Sequence, residues 1–223
     1  MAKIDKKSRD EPDQPEELLI SDGTKASFYL RKGYKYRKFA QDFDDLSNKA
    51  KWQDHVYEEA NRLFIMNECR TVLDIGCGAG FKLLKYFSGC ETIGVDREEI
   101  VDTLRERYPD RKWLTPPEPD QPMPAADLYI CSDVIEHISQ PDAFLRQIAS
   151  SPFRFLILST PAREILFADG RREFRGPPAN RAHYFEWTMG ELNKLMRPYF
   201  EIIEHSYKYN GEYTQVVVAR QKG

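Results

Sequence analysis

The chain has 223 residues, 41% hydrophobic and 31% charged, with 33 basic against 36 acidic side chains and a net charge of −3. That length suits one domain able to bury roughly 70% of its unfolded surface. No apolar run approaches the ~18 residues of a membrane span, and the first residues (MAKIDKKSRD) hold no apolar signal core. The slightly acidic balance argues against a nucleic-acid coat. Cys69, Cys77, Cys90 and Cys131 form no CxxC pair, which points to reduced thiols in a cytoplasmic compartment.

In chain order, residues 1–25 are charged and poor in apolar side chains, so a disordered tail is expected before one domain over 26–223. Residues 26–54 begin aromatic and basic (SFYLRKGYKYRKFAQDF from 27) and are expected to form an N-terminal lid, with Tyr34 and Tyr36 as lid contacts. Val56, Ala60, Leu63 and Phe64 then share one helical face. Thr71–Ile75, Glu91–Val95, Leu128–Cys131 and Arg154–Ser159 are short, branched and apolar, as buried parallel strands are. Helical patterns separate them, around Leu83 and Phe87, Ile100 and Leu104, and Leu145 and Ile148. This alternation predicts a doubly wound α/β fold with a mostly parallel sheet. Five prolines between Pro116 and Pro124 exclude helix there. Thr188 and Glu191 are spaced as a capping box opening a helix, and Asn210-Gly211 between two strand-like runs predicts a hairpin with an antiparallel last strand.

The most informative stretch is Val72-Leu-Asp-Ile-Gly-Cys-Gly-Ala-Gly80. A buried strand ends in glycines at alternate positions, and a helix starts directly after, which lets a ligand lie against backbone N–H groups. Asp96 follows Gly76 by 20 residues at the end of the next strand, where a carboxylate accepts from both hydroxyls of a ribose. Dinucleotide sites favour GxGxxG, whereas the third glycine here comes one residue early.

Together these segments resemble the first two motifs of class I S-adenosylmethionine-dependent methyltransferases. The likeness continues through Asp127-Leu-Tyr-Ile-Cys-Ser-Asp-Val-Ile-Glu-His-Ile138 and Phe155-Leu-Ile-Leu-Ser-Thr-Pro161, covering roughly residues 51–222. The resemblance implies a seven-stranded Rossmann-like sheet with S-adenosylmethionine as cofactor. It implies that Gly76, Cys77, Gly78 and Gly80 shape the cofactor loop, that Asp74 meets the methionine ammonium, and that Asp96 binds the ribose. Arg97 would cover the adenine, and the backbone at Cys131 and Ser132 would line the methionine end. One departure concerns adenine: many members carry an Asp after the third strand, where this chain has Trp113-Leu-Thr-Pro116.

On the acceptor side, Glu136-His137 follows the fourth strand, which makes His137 the first candidate general base. His183 is the second. Asp133, Glu136 and His137 at i, i+3 and i+4 would share a face of a helix and, with His183, suit a divalent metal; the metal remains an open alternative. Pro161 to Trp187 is a stretch of 27 residues, too long for a plain turn and expected to cover the substrate. They hold Arg163, Arg171, Arg172, Arg175 and Arg181 and a GPPxNxxHxxEW run resembling one in bacterial methyltransferases of glycan and natural-product pathways. Arg181, Tyr184 and Trp187 are the expected substrate contacts. The expected activity is methylation of a small molecule at oxygen. A metal-dependent enzyme acting on RNA ends or catechol-type rings, and a non-catalytic cofactor-binding module, are the alternatives.

Overall fold

The computed structural model describes residues 30–41, 53–168, 175–209 and 213–223, together with the backbone of β1 (Glu17–Leu19) and β2 (Lys25–Ser27). These two strands pair antiparallel, Leu18 opposite Ala26, β1 within the segment expected to lack order and β2 at its junction with the expected lid. Tyr29, Trp52, Arg171, Arg172 and the Asn210-Gly211 turn lie outside the described residues.

The main body is a seven-stranded sheet. After α1 (Asp54–Met66) come β3 (Thr71–Ile75), α2 (Phe81–Phe87), β4 (Glu91–Val95), α3 (Glu98–Arg107), β5 (Lys112–Leu114) and β6 (Leu128–Ser132). Then follow α4 (Pro141–Ala149), β7 (Phe155–Pro161), α5 (Arg163–Ala168), α6 (Met189–Met196), β8 (Phe200–Tyr209) and β9 (Tyr213–Gln221). The strand order is β5-β4-β3-β6-β7-β9-β8. β5, β4, β3, β6 and β7 are parallel, and β9 runs antiparallel to both neighbours.

Successive residues along a strand point to opposite faces, and here both faces are covered. Val72, Leu128 and Ile130 pack with Val56, Ala60, Leu83 and Leu104 of α1–α3. Leu73, Tyr129 and Cys131 pack with Leu145 and Ile148 of α4 and Leu192, Leu195 and Met196 of α6. Two-sided burial is why these strands read as continuous apolar runs rather than alternating ones. The expected capping box at α6 is present in both directions: Glu191 N–H donates to Thr188 Oγ1 (3.3 Å), and Thr188 N–H donates to Glu191 Oε2 (2.8 Å).

The chain winds outward from β3 to β5, then returns to lay β6 on the other side of β3. In open α/β sheets a ligand binds at such a reversal, beyond the carboxyl ends of the strands.

Candidate active site

A cavity of about 710 Å³ opens there, within the size range of ligand pockets. One wall is the glycine turn from Gly76 to Gly80 with Asp96 and Arg97; the other brings in Ala40, Gln41, His183 and Tyr184.

The turn is held from below. Gly76 and Cys77 donate their N–H groups to Val95 O (2.8 and 3.2 Å), and Gly78 N–H donates to Asp96 Oδ2 (2.7 Å). Gly76 has φ +73°, and a Cβ on it would lie 2.3 Å from Val134 Cγ2, so both backbone and space require glycine. Asp96 is 7% exposed; burial raises its pKa, against the pull of the Gly78 and Arg97 N–H bonds. Trp113 does not line the cavity. Its ring lies buried under the turn, where a Cβ on Gly94 would come within 2.4 Å of it.

Asp74 is fully buried beneath the turn. Tyr57 donates its hydroxyl to Asp74 Oδ2 (2.9 Å), while Oδ1 has no partner. Burial pushes the Asp74 carboxyl up to about 7, partly offset by Tyr57 and Lys82. An unsatisfied buried carboxylate oxygen suits a cationic group such as an ammonium. Beyond β5, Pro116, Met123, Ile138 and Phe144 supply apolar walls to the cavity. Gln147 secures the proline-rich loop there, donating to Glu118 O (2.8 Å) and Gln121 O (2.9 Å).

On the acceptor side the expected shared helical face does not form. Asp133 adopts φ +53°, and the following turn, Ile135–His137, is 3₁₀. Asp133 instead accepts from Gln53 Nε2 and from Ser159 Oγ, both at 2.8 Å. The described residues that could together hold a metal are Glu136, His137 and His183, whose ligand atoms lie within 4.8 Å of one another. Glu136 is fully buried, accepts from Thr160 Oγ1 (2.9 Å), and has its pKa raised well above the usual range by burial and by Asp133.

His137 Nδ1 lies 2.9 Å from Ala182 O. A carbonyl only accepts, so Nδ1 carries the proton and, in the neutral ring, Nε2 carries the lone pair. Burial, reinforced by His183, lowers the His137 pKa to about 4. The two imidazoles meet edge to face at 4.8 Å. Both His183 nitrogens are engaged: Asn180 Nδ2 donates to Nε2 (2.8 Å), and Nδ1 donates to Glu186 Oε1 (3.0 Å). Asn180 Oδ1 accepts from Ala182 N–H (3.0 Å), which orients its amide.

Gly76, Cys77, Gly78, Gly80, Asp96, Arg97, Ser132, His137, His183 and Tyr184 all reach the cavity wall. Asp74, Cys131 and Trp187 do not: all three are fully buried, Trp187 stacked on Phe185. Arg181 is exposed, and its carbonyl accepts from Gln41 N–H. Arg163 is 1% exposed, donating to Glu186 O (2.7 Å) and Glu191 Oε2 (2.5 Å). Tyr34 lies under its guanidinium and Tyr36 stacks on Phe185, so both tyrosines pack against the 175–187 segment. His205 bridges Asn193 and Gln215. Gln53, Tyr57 and Lys82 line the cavity; Trp52-Gln53 resembles a recurring element before the glycine motif, whereas no local motif marks Tyr57 or Lys82. Asn180 sits inside the GPPxNxxHxxEW run.

A family model described as a methyltransferase domain matches residues 35–205. No curated protein matches the sequence. Among solved structures, the chain is similar to magnesium protoporphyrin IX methyltransferase from Synechocystis PCC 6803 with bound SAH (TM-score 0.59, 18% identity, 76% of this chain and 84% of that one). It is also similar to the methyltransferase domain of bacterial CtHen1-C (0.60, 22%, 78% and 100%). A third is the N-methyltransferase NodS from Bradyrhizobium japonicum with SAH (0.59, 13%, 80% and 95%). That model spans most of the chain: the chain belongs to the methyltransferase domain family, with the class I, S-adenosylmethionine-dependent architecture.

Proposed function

We propose that the chain methylates a hydroxyl group of a small molecule of sugar or natural-product type, using His137 as general base. The observation that carries this reading is the His137 ring: half-buried, neutral at pH 7, with Nδ1–H on Ala182 O and so presenting Nε2 as the basic nitrogen. Bound S-adenosylmethionine would supply an electrophilic methyl group at the methionine end of the cavity. Gly76, Gly78 and Gly80 leave room for it, Asp96 accepts from its ribose, and Asp74 faces its ammonium. His137 takes the acceptor's hydroxyl proton onto Nε2 as the oxygen becomes a nucleophile. Asn180 and Glu186 hold His183, which shapes the floor beside His137. Tyr184, Gln41 and Ala40 wall the acceptor space, a pocket rather than an open basic groove.

A second reading has one observation in its favour, the unpartnered Oε1 of buried Glu136 beside the two histidines. A metal there would require Glu136 to ionise and Asn180 to release His183.

Steady-state kinetics on a panel of hydroxylated acceptors tests both. His137→Ala should lower kcat by roughly 10²-fold or more, with S-adenosylhomocysteine affinity retained, and His183→Ala should mainly raise the acceptor KM. With S-adenosylmethionine saturating, the wild-type kcat should stay flat from pH 8 down to about 5, because the His137 ring protonates only near 4. Undiminished turnover in His137→Ala rejects the base. Activity lost to a chelator and restored by a divalent ion favours the metal.

A further inference from the structure

Residues 30–41 and 175–184 hold seven of the chain's 33 basic side chains and none of its 36 acidic ones, in a protein of net charge −3. Three backbone hydrogen bonds, from Lys35 to Arg175, Arg37 to Tyr184 and Gln41 to Arg181, lay the two segments side by side. Arg37 Nη2 adds a bond to Pro178 O (2.6 Å), 141 positions away. Arg175 Nη1 lies 4.0 Å from the place a Cβ on Gly33 would take, so its guanidinium rests on the turn beside Lys32. Lys32, Lys35, Lys38, Arg175 and Arg181 are exposed, and Arg37 is half-buried. None of these six has an ion-pair partner among the described residues. Arg163, close by, is the opposite case: buried, and paired with Glu191.

The gathered cations stand where an acceptor must enter. Ala40, Gln41, Asn180 and Ala182 line the cavity, so Lys38 and Arg181 flank its mouth. Ala182 O holds His137 Nδ1, which puts Arg181 one residue from the group that fixes the base. Phe39, between Lys38 and Ala40, is 86% exposed. Like charges held together repel, and an anion seated among them relieves that repulsion; a cleft edge also focuses the field and draws anions in. Several guanidinium and ammonium donors at one place suit the three oxygens and double charge of a phosphate.

We propose that this rim binds a phosphate group carried by the acceptor, so that the molecule methylated is a phosphate ester of a small hydroxylated compound. Arg37, Lys38 and Arg181 take the phosphate at the mouth while a free hydroxyl of the same molecule reaches His137. The proposal rests on the small-molecule methylation reading and narrows its substrate class. The phosphate is not consumed: the bond made joins oxygen to methyl, the bond broken joins methyl to sulfur, and the hydroxyl proton goes to His137 Nε2. A compact ester fits better than a nucleic acid, because the excess of positive charge is confined to the mouth of a pocket in an acidic chain.

Calorimetry on the full chain with S-adenosylhomocysteine present compares glucose, glucose 1-phosphate and UDP-glucose. Both phosphate esters should bind at least tenfold tighter than glucose, the scale of one charge-assisted hydrogen bond. Lys38→Gln combined with Arg181→Gln should remove that preference, with S-adenosylhomocysteine affinity and melting temperature unchanged. Arg107→Gln combined with Lys112→Gln, which removes two charges near the β5 edge, should leave it intact. An added advantage of UDP-glucose that disappears in Phe39→Ala would identify a nucleoside-linked phosphate stacked on that ring; equal binding of the two esters would identify a plain sugar phosphate. Esters binding no tighter than glucose would overturn the proposal, as would a preference that survives the Lys38/Arg181 double variant. A short single-stranded RNA binding tighter than both esters, with a steep salt dependence, would make the rim a nucleic-acid surface and overturn it too. Failure to bind S-adenosylhomocysteine would overturn the methylation reading instead, and the same comparison of sugars without it would still decide the rim.

Discussion

Asp74 illustrates how a single side chain ties stability to ligand binding. Its carboxyl is fully buried, faces Tyr57, Lys82 and Asp96, and holds its proton up to about pH 7. In the unfolded chain the same group ionises near pH 4. The folded state binds the extra proton, so stability is present in full below about 4 and is lost as pH rises towards 7. An ammonium partner reverses the preference and favours the ionised form. S-adenosylhomocysteine affinity should therefore rise between pH 6 and 8, with proton release visible in calorimetry at pH 6.5. In Asp74→Asn, which keeps an oxygen for the Tyr57 hydroxyl, the cofactor-free protein should melt higher than wild type at pH 8 yet bind more weakly. Its affinity should no longer depend on pH in this range. A wild-type affinity flat from pH 6 to 8 would remove the ammonium role from Asp74.

At the scale of elements, the glycine turn depends on a contact that no motif encodes. Trp113 of β5 fills the space beneath it, approaching Gly94 of β4 so closely that no Cβ fits. Gly94→Ala should cost about 1–3 kcal/mol, the usual price of overpacking, and weaken cofactor binding because the turn must lift off the ring. Chemical denaturation and nucleoside titration measure the two effects, and adding Trp113→Leu should recover part of both. Full affinity and stability in Gly94→Ala would show that the ring moves freely. Sequence marked the turn clearly and its support poorly. Strands buried on both faces, such as Thr71–Ile75, leave continuous apolar runs, and the capping box is a local pattern, so both were legible. β5 is three residues long, begins with a lysine and leaves no such run. The DxxEH spacing suggested a helical face, but Asp133 turns left-handed to meet Gln53, 80 residues away. Long-range bonds of that kind leave no periodic trace.

Across the whole molecule, the acceptor wall is assembled from two distant segments. Residues 30–41 run beside 175–184, with backbone donation from Lys35 to Arg175, Arg37 to Tyr184, and Gln41 to Arg181 at 2.7, 2.9 and 2.9 Å. Both segments are tied to α6 through Glu191, which accepts from Arg31 N–H, the Arg163 guanidinium and Thr188. Arg163 also holds Glu186 O, and the Glu186 side chain holds His183. Arg163 belongs to the segment expected to cover the substrate, yet it is buried against Tyr34, 129 positions upstream, a contact no local reading supplies. Removing one partner of a buried ion pair leaves the other charge unpaired in a low-dielectric interior. Arg163→Met should destabilise the fold by about 3–5 kcal/mol. Arg163→Met combined with Glu191→Gln should be less destabilised than the sum of the single variants, since the stranded carboxylate is gone. Urea denaturation of the four proteins measures that coupling. The acceptor KM should rise in Arg163→Met more than the S-adenosylhomocysteine Kd, because the ion pair lies behind His183 and away from the glycine turn. Strict additivity in the denaturation cycle would mean that Arg163 and Glu191 act independently, and the two segments would then need another tie.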